Sequence, residues 1–337
     1  MSAPILSSGR TGCATMSAAV IPRPGVIEIR EVPVPEPGRG QVSVRLEGCG
    51  VCAASLAAWQ GRPQAPFDFP LGAGEPGNEA WGRVAVVGEG VCDFEPGDRV
   101  GVLTHAGFAE YVLADARALV ALPEGLDAEP FPARALAGAV NVFRRSFIEK
   151  GQTVAVIGFG FLGALVTQLA VLAEARVIAV GRRPCALRIA RQLGASAAVL
   201  LKEPEHDALA METMRELNGG QLFDVVVEAV GLQRCLDLAG QATRDRGRLM
   251  IAGSHREGPR LVDIGLWNRR GIDVINAHEP SLDVLCEGLR EAVAALECGL
   301  LKPGPLYTHR FPLNRLEEAF LLASSRPTGF MKALVYL

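Results

Sequence analysis

The sequence predicts an α/β protein with a β-rich front domain followed by a doubly wound parallel sheet. Three observations predict it. The stretch Val154-Ala-Val-Ile-Gly-Phe-Gly-Phe-Leu-Gly163 is an apolar strand running into a Gly158-x-Gly160-x-x-Gly163 turn and then an apolar helical run. From about Gly151 onward, apolar strands near positions 154, 177, 225 and 249 alternate with helical stretches, as in a parallel sheet covered on both faces. Before that point the chain reads instead as short strands broken by Pro and Gly, the pattern of an all-β unit.

With 337 residues the chain is long enough for two domains, each with its own core. Residues 1–15 are rich in Ser, Gly and Ala and lack an apolar period, so a disordered extension is expected there, with Met16 a candidate start. The front domain is assigned to 16–150, with strands at 26–32, 41–46, 81–87 and 108–113. The parallel-sheet domain is assigned to 151–285. The remainder, 286–337, takes in most of a helix at 284–296 and ends in a β segment at 330–336 that can return to complete the front domain.

Charged residues make up 21% of the chain and the net charge is −3, with no basic tract beyond short arginine pairs. Nucleic acid and anionic membrane surfaces are therefore not expected partners, and a small neutral metabolite fits better. The uncharged run from Val154 to Ala173 has the length of a membrane span, but its glycines and Gln168 argue for a buried strand and helix. No cationic region with an apolar signal core precedes the first domain, so a cytoplasmic location is expected. The eight scattered cysteines read as buried thiols of a reducing compartment.

The glycine motif points to a dinucleotide. Gly158 permits a tight turn, Gly160 lets the backbone approach a pyrophosphate and Gly163 lets the helix pack close, while the helix N-terminus presents unpaired N–H groups. The second strand, Arg176-Val-Ile-Ala-Val180, is followed by Gly181, where an NAD site normally carries an acid for the ribose hydroxyls. Room at Gly181 and the guanidinium forks of Arg182, Arg183 and Arg188 suit a 2′-phosphate, so the expected cofactor is NADP(H). The alternative is a solvated basic helix start.

The whole chain from Met16 resembles the medium-chain dehydrogenase/reductase superfamily, nearest its polyol and threonine dehydrogenase-like branch. The motifs that carry the resemblance, in family order, include Val32-Pro-Val-Pro-Glu-Pro-Gly38, Cys49-Gly-Val-Cys52, Gly77-Asn-Glu-Ala-Trp-Gly-Arg-Val84, Gly107-Phe-Ala-Glu-Tyr111, the Gly158 fingerprint and Phe223-Asp-Val-Val-Val-Glu-Ala-Val-Gly231. The resemblance implies a GroES-like β-rich catalytic domain and a Rossmann domain, with substrate and nicotinamide in the cleft between them, in a homodimer or homotetramer. It further implies pyrophosphate contacts from the backbone of Phe161 and Leu162, a cofactor cleft lined by Val230-Gly231 and Gly253-Ser254, and Lys332 as a pyrophosphate partner. Trp59, Gln60, His105 and Trp267 are placed at the cleft as candidate specificity residues.

The departures from the family pattern carry the most information. Zinc-using members hold the catalytic metal with a Cys, a His and a later Cys or Glu. Here Cys52 matches the first ligand, Asn78 of Gly77-Asn78-Glu79 replaces the His, and Arg134 falls at the third position. A guanidinium cannot give up a proton to bind zinc. No metal is therefore expected, and Arg134 is expected to pair with Glu79, either replacing the cation structurally or facing a substrate oxygen; the alternative is that the two only satisfy one another in an inactive pocket. The hydroxyl of the family's proton relay is replaced by Ala54, which leaves Ser55, His105 and His278 as proton-transfer candidates.

The resulting expectation is a zinc-independent, NADPH-dependent oxidoreductase acting between a small carbonyl and its alcohol. Reduction of an activated C=C bond is the alternative, and a cofactor-binding protein without turnover is a third reading.

Overall fold

A computed structural model of the protein describes residues 14–62, 68–255 and 258–337. Most of the expected N-terminal extension lies outside the described residues, and Thr15, its last member, already belongs to a strand. The front domain opens with β1 (Thr15–Arg23) and β2 (Val26–Pro33), an antiparallel pair whose tight turn uses Gly25 at φ +76°. It continues through β3 (Gln41–Gly50), α1 (Ala53–Trp59), β4 (Ala80–Val87), β5 (Arg99–Val102), β6 (Tyr111–Asp115) and β7 (Leu119–Ala121). Then α2 (Ala133–Ser146) leads into the second domain.

That domain consists of β8 (Thr153–Ile157), α3 (Phe161–Leu172), β9 (Arg176–Gly181), α4 (Pro184–Gln192), β10 (Ala197–Leu200) and α5 (Asp207–Leu217). It goes on with β11 (Phe223–Glu228), α6 (Gln233–Ala242), β12 (Thr243–Ile251), α7 (Ile264–Arg270), β13 (Asp273–Asn276) and α8 (Leu282–Glu297). All neighbours in its six-stranded sheet are parallel, in the order β10-β9-β8-β11-β12-β13. This is the doubly wound Rossmann order, which leaves a crevice at the carboxyl ends of β8 and β11. The period-2 alternation of β8 explains why its sequence is apolar throughout: Val154 and Val156 enter the core under α2, α3 and α8, and Ala155 and Ile157 the core under α5 and α6.

The C-terminal β14 (Tyr307–Pro312), α9 (Leu316–Ser325) and β15 (Lys332–Tyr336) rejoin the front domain. There β15 pairs antiparallel with β3, and the sheet runs β14-β15-β3-β4-β5-β7 with β6 on β3. Ala319 and Phe320 of α9 share a core with Val42, Val44 and Leu46 of β3.

The boundary expected at 285/286 falls inside α8. Leu285, Cys286 and Leu289 pack in the core of the parallel sheet, and Gly288 lets α8 approach α2, since a Cβ there would lie 3.2 Å from the Ala137 carbonyl. The helix α2 belongs to the same layer. Its apolar Ala133, Leu136, Ala137 and Val140 recur at helical spacing on one buried face, and it ends where Phe147 adopts a left-handed φ of 46°. Among the described residues no helix is long and apolar enough to cross a membrane. The cysteines of the described residues are free thiols, but Cys92 and Cys298 are exposed rather than buried.

Candidate active site and dinucleotide cradle

The glycines at the end of β8 behave differently from one another. Gly158 has φ +104°, and a Cβ on it would lie 2.4 Å from Val230 Cγ2. A Cβ on Gly163 would lie 2.3 Å from the Gly158 carbonyl oxygen, so only glycine lets α3 pack against the turn. Gly160 has nothing within 4 Å of that position and caps α3 with no side-chain acceptor. The first-turn N–H groups at Phe161 and Leu162 therefore face an open, positively polarised space that suits a pyrophosphate.

Glu228, fully buried at the end of β11, closes the other side of the crevice. Its Oε1 accepts the N–H groups of Val230 and Gly231 at 2.8 Å each, and Oε2 lies 2.9 Å from His255 Nε2. Arg260 Nε donates to His255 Nδ1 at 3.1 Å, which fixes the imidazole with its proton on Nε2, donated to Glu228. Gly253 is enclosed by the same turn, because a Cβ there would lie 2.2 Å from Gly231 N. The sequence reading missed Glu228, His255 and Arg260. The available signal was an acid ending the apolar run Val225-Val-Val-Glu228, a position where burial demands a partner.

At the end of β9, Gly181 is buried while Arg182 and Arg188 are exposed, and among the described residues neither arginine makes a hydrogen bond or ion pair. Arg183 is half-buried and donates to the carbonyls of Phe330 and of Phe159, the latter at 3.4 Å.

The region aligned with the family's metal site lies beneath the cleft. Cys52 caps α1: its Sγ accepts from Ser55 N at 3.3 Å and donates to Asn78 Oδ1 at 3.2 Å. Ser55 is fully buried and donates its hydroxyl to the Pro76 carbonyl at 2.8 Å, which commits it to holding the turn rather than to moving a proton. The expected Glu79–Arg134 pair is not formed. Glu79 pairs instead with Lys332, and both residues are buried. Lys332 is thus not a surface lysine: β15 runs beside the end of β3, with Val51 N on Ala333 O at 3.0 Å, and this register delivers Lys332 to Glu79 and to the face of Phe161, 4.9 Å from its centroid.

Arg134, at the start of α2, is half-buried and among the described residues makes no hydrogen bond or ion pair. His105, between β5 and β6, keeps one edge in solvent. Burial of the remainder, then the positive charge of Arg134, lowers its pKa against an opposing pull from Glu75. His278 is exposed at the end of β13, where its carbonyl accepts from Arg145 Nη1 at 3.3 Å and Asn141 Nδ2 donates to Ala277 O at 2.8 Å. Among the described residues no group of three His, Cys, Asp or Glu side chains could hold a metal ion. Of the candidate specificity residues, Trp267 packs beside Gly240 of α6, Trp59 is buried edge-on against Phe320, and Gln60 Nε2 donates to Ser324 Oγ at 3.3 Å.

Comparison with known proteins fits this architecture. Residues 38–124 match the alcohol dehydrogenase GroES-like domain and residues 162–285 match the zinc-binding dehydrogenase family. An alcohol dehydrogenase of Rhizobium meliloti (strain 1021) is 32% identical over 276 residues, spanning 71% of this chain and 77% of the relative. Among solved structures, a provisionally assigned zinc-binding dehydrogenase of Sinorhizobium meliloti 1021 bound to NADP superposes with a TM-score of 0.79 at 25% identity, covering 96% of this chain and 100% of that one. A short chain alcohol dehydrogenase of E. coli CFT073 complexed with NADH shares the fold, with a TM-score of 0.83 at 21% identity, covering 96% and 99%.

Proposed function

The chain belongs to the medium-chain dehydrogenase/reductase superfamily and is an oxidoreductase of the alcohol dehydrogenase type, and from that premise we propose that it works without zinc, takes NADP(H), and interconverts a small carbonyl and its alcohol. The observation that carries the reading is the half-buried Arg134, whose charge no carboxylate among the described residues neutralises because Lys332 has taken Glu79. The donor set does not fit zinc: the Cys52 thiol spends its proton on Asn78, Glu79 is held by an ammonium, and Arg134 is a permanent cation.

The Gly160 turn, the α3 N-terminus and the Val230–Gly231 loop would hold NADP(H), which would supply the hydride chemistry when bound. The chain's own groups orient the substrate and manage charge. Arg134 and the Nδ2 amide of Asn78, the end of that side chain not used by Cys52, are the donors for an oxygen that gains negative charge. A positioned donor of this kind contributes about 3 to 4 kcal/mol. His105 stays neutral at pH 7 because its pKa is lowered, and with one edge in solvent it can carry the proton between the site and water. The NADP(H) preference is supported by Gly181 with Arg182 and Arg183, and by a structural neighbour bound to NADP, while another neighbour carries NADH. The edge of β13, which pairs with no further strand among the described residues, supports the homodimer or homotetramer that the resemblance implies, which light scattering tests.

The test is turnover of Arg134→Ala and Arg134→Lys with NADPH on a panel of ketones and conjugated enones, alongside elemental analysis. Expected are no stoichiometric zinc and a kcat lower by about 100-fold or more in the alanine variant with its fold and NADPH affinity intact. Unchanged kcat would overturn the role of Arg134, and stoichiometric zinc would overturn the metal-free reading. Reduction of an activated C=C bond is the second reading. It is favoured by the commitment of Ser55 to Pro76, since that reaction depends less on a buried hydroxyl relay, and it predicts that enones outpace ketones on the same panel. Tight NADPH binding with no turnover across the panel would point to a cofactor-binding protein.

A further inference from the structure

We propose that Arg326, carried by the returning C-terminal segment, is a ligand of the cofactor's 2′-phosphate and completes from the front domain an arginine cluster that begins at the end of β9. The inference rests on the NADP(H) reading and adds a specificity residue that lies far from the dinucleotide motif in sequence.

The geometry begins at the end of α9. Arg326 caps that helix in the left-handed conformation, at φ 45°, with its N–H on Leu322 O at 2.9 Å and its Nε on Ala323 O at 3.3 Å. The chain then folds back through Pro327-Thr-Gly329, where Phe330 N meets Pro327 O at 3.0 Å. This turn is docked on the residues that follow β9: Arg183 donates to the Phe330 carbonyl, and Gly329 N donates to Cys185 Sγ at 3.4 Å. The turn therefore brings Arg326 to the place where the parallel sheet presents Arg182, Arg183 and Arg188.

Among the described residues none of these four guanidinium groups is hydrogen-bonded or ion-paired to a carboxylate, and Arg183 and Arg326 spend their bonds on carbonyl oxygens and a sulfur. Arg326 is an exposed residue, yet partial burial of its guanidinium and then the charges of Arg183 and Arg182 lower its pKa. Burial lowers the pKa of Arg183, and Arg182 adds to that against an opposing pull from Cys185. Like charges held together without a counterion cost free energy, and that cost is relieved by an anion placed among them. The pyrophosphate belongs at Gly160 and the start of α3, so the anion at the end of β9 is the phosphate on the adenosine ribose. Arg326 and Arg182 come from different domains, which makes this phosphate a tie across the cleft.

The test measures affinity of the full chain for NADPH, NADH, 2′,5′-ADP and 5′-AMP. Arg326→Asn is the variant of choice because asparagine tolerates the left-handed cap. It is expected to weaken NADPH and 2′,5′-ADP by about tenfold or more while leaving NADH and 5′-AMP unchanged, with Arg326→Lys recovering part of the loss. Equal weakening of all four ligands, or of none, in a wild-type background that prefers NADPH overturns the role of Arg326 and leaves the cofactor reading standing. A wild-type protein that binds NADH as tightly as NADPH overturns both.

Discussion

The ammonium of Lys332 and the carboxylate of Glu79 form an ion pair with side chains only 5% and 6% exposed, beneath the ring of Phe161. Gly50 is the reason the carboxylate fits, because a Cβ there would lie 2.0 Å from Glu79 Oε2. The pair joins the last strand of the chain to the segment before β4, and removing one partner leaves a charge buried without compensation. Glu79→Gln and Lys332→Met are each expected to cost about 3–5 kcal/mol, and the double variant to recover much of that loss. Urea denaturation of the three variants checks this, and purely additive losses would mean that the two charges are not coupled.

Gly160 and Gly163 lie in one motif but predict opposite phenotypes. Gly160→Ala places a methyl in open space, so the fold should be unaffected while NADPH affinity falls by about tenfold or more, or at least about 1.4 kcal/mol. Gly163→Ala drives a methyl into the Gly158 carbonyl and should destabilise the protein by about 1–3 kcal/mol. Thermal unfolding and cofactor titration of both variants separate the two effects. Equal loss of stability would show that the space beside Gly160 is not available.

Asp224 of β11 clasps both neighbouring strands of the parallel sheet, β8 through Thr153 and β12 through Arg244. Burial alone would raise its pKa, but the Thr153 N–H at 2.7 Å, Arg244 at 2.7 Å and the Thr153 hydroxyl at 2.8 Å together hold it below the ordinary value. A depressed native pKa means that the stabilisation is complete above the unfolded value of about 3.9 and is lost as pH falls through the native one. Asp224→Asn should therefore cost about 1.5–3 kcal/mol at neutral pH, and its deficit against wild type should shrink in acid. Denaturation at a series of pH values measures this, and a deficit independent of pH would rule out the carboxylate charge as the cause.

Arg134 should be visible in the titration of His105. Burial lowers the histidine's pKa first and Arg134 second, so Arg134→Ala should raise it. The depressed native value means that the folded state resists protonation, so this group's contribution to stability is present above about pH 6.5 and is lost as pH falls below it. In Arg134→Ala that acid-side loss should diminish. The imidazole Cε1 proton shift followed by NMR, assigned with His105→Gln, reads the effect directly. An unmoved titration would place the guanidinium away from the ring.

The sequence by itself determined the fold class and the Gly158 turn. These depend on period-2 and helical spacing and on positive φ at glycine, which act over a few residues. The helices α2 and α8 were harder to place, because their apolar faces look alike until packing assigns both to the parallel sheet. Which cation answers Glu79 was beyond local reading: Arg134 and Lys332 are equivalent as charges, and the choice falls to whichever backbone delivers its side chain into the pocket. Tertiary structure made that choice by pairing β15 with β3, and by the same return of the chain it brought Arg326 to Arg182 and left Arg134 without a carboxylate partner among the described residues. The physical reason is that pairing between strands far apart in sequence is fixed only when the cores close, and charge partners follow the strands that carry them.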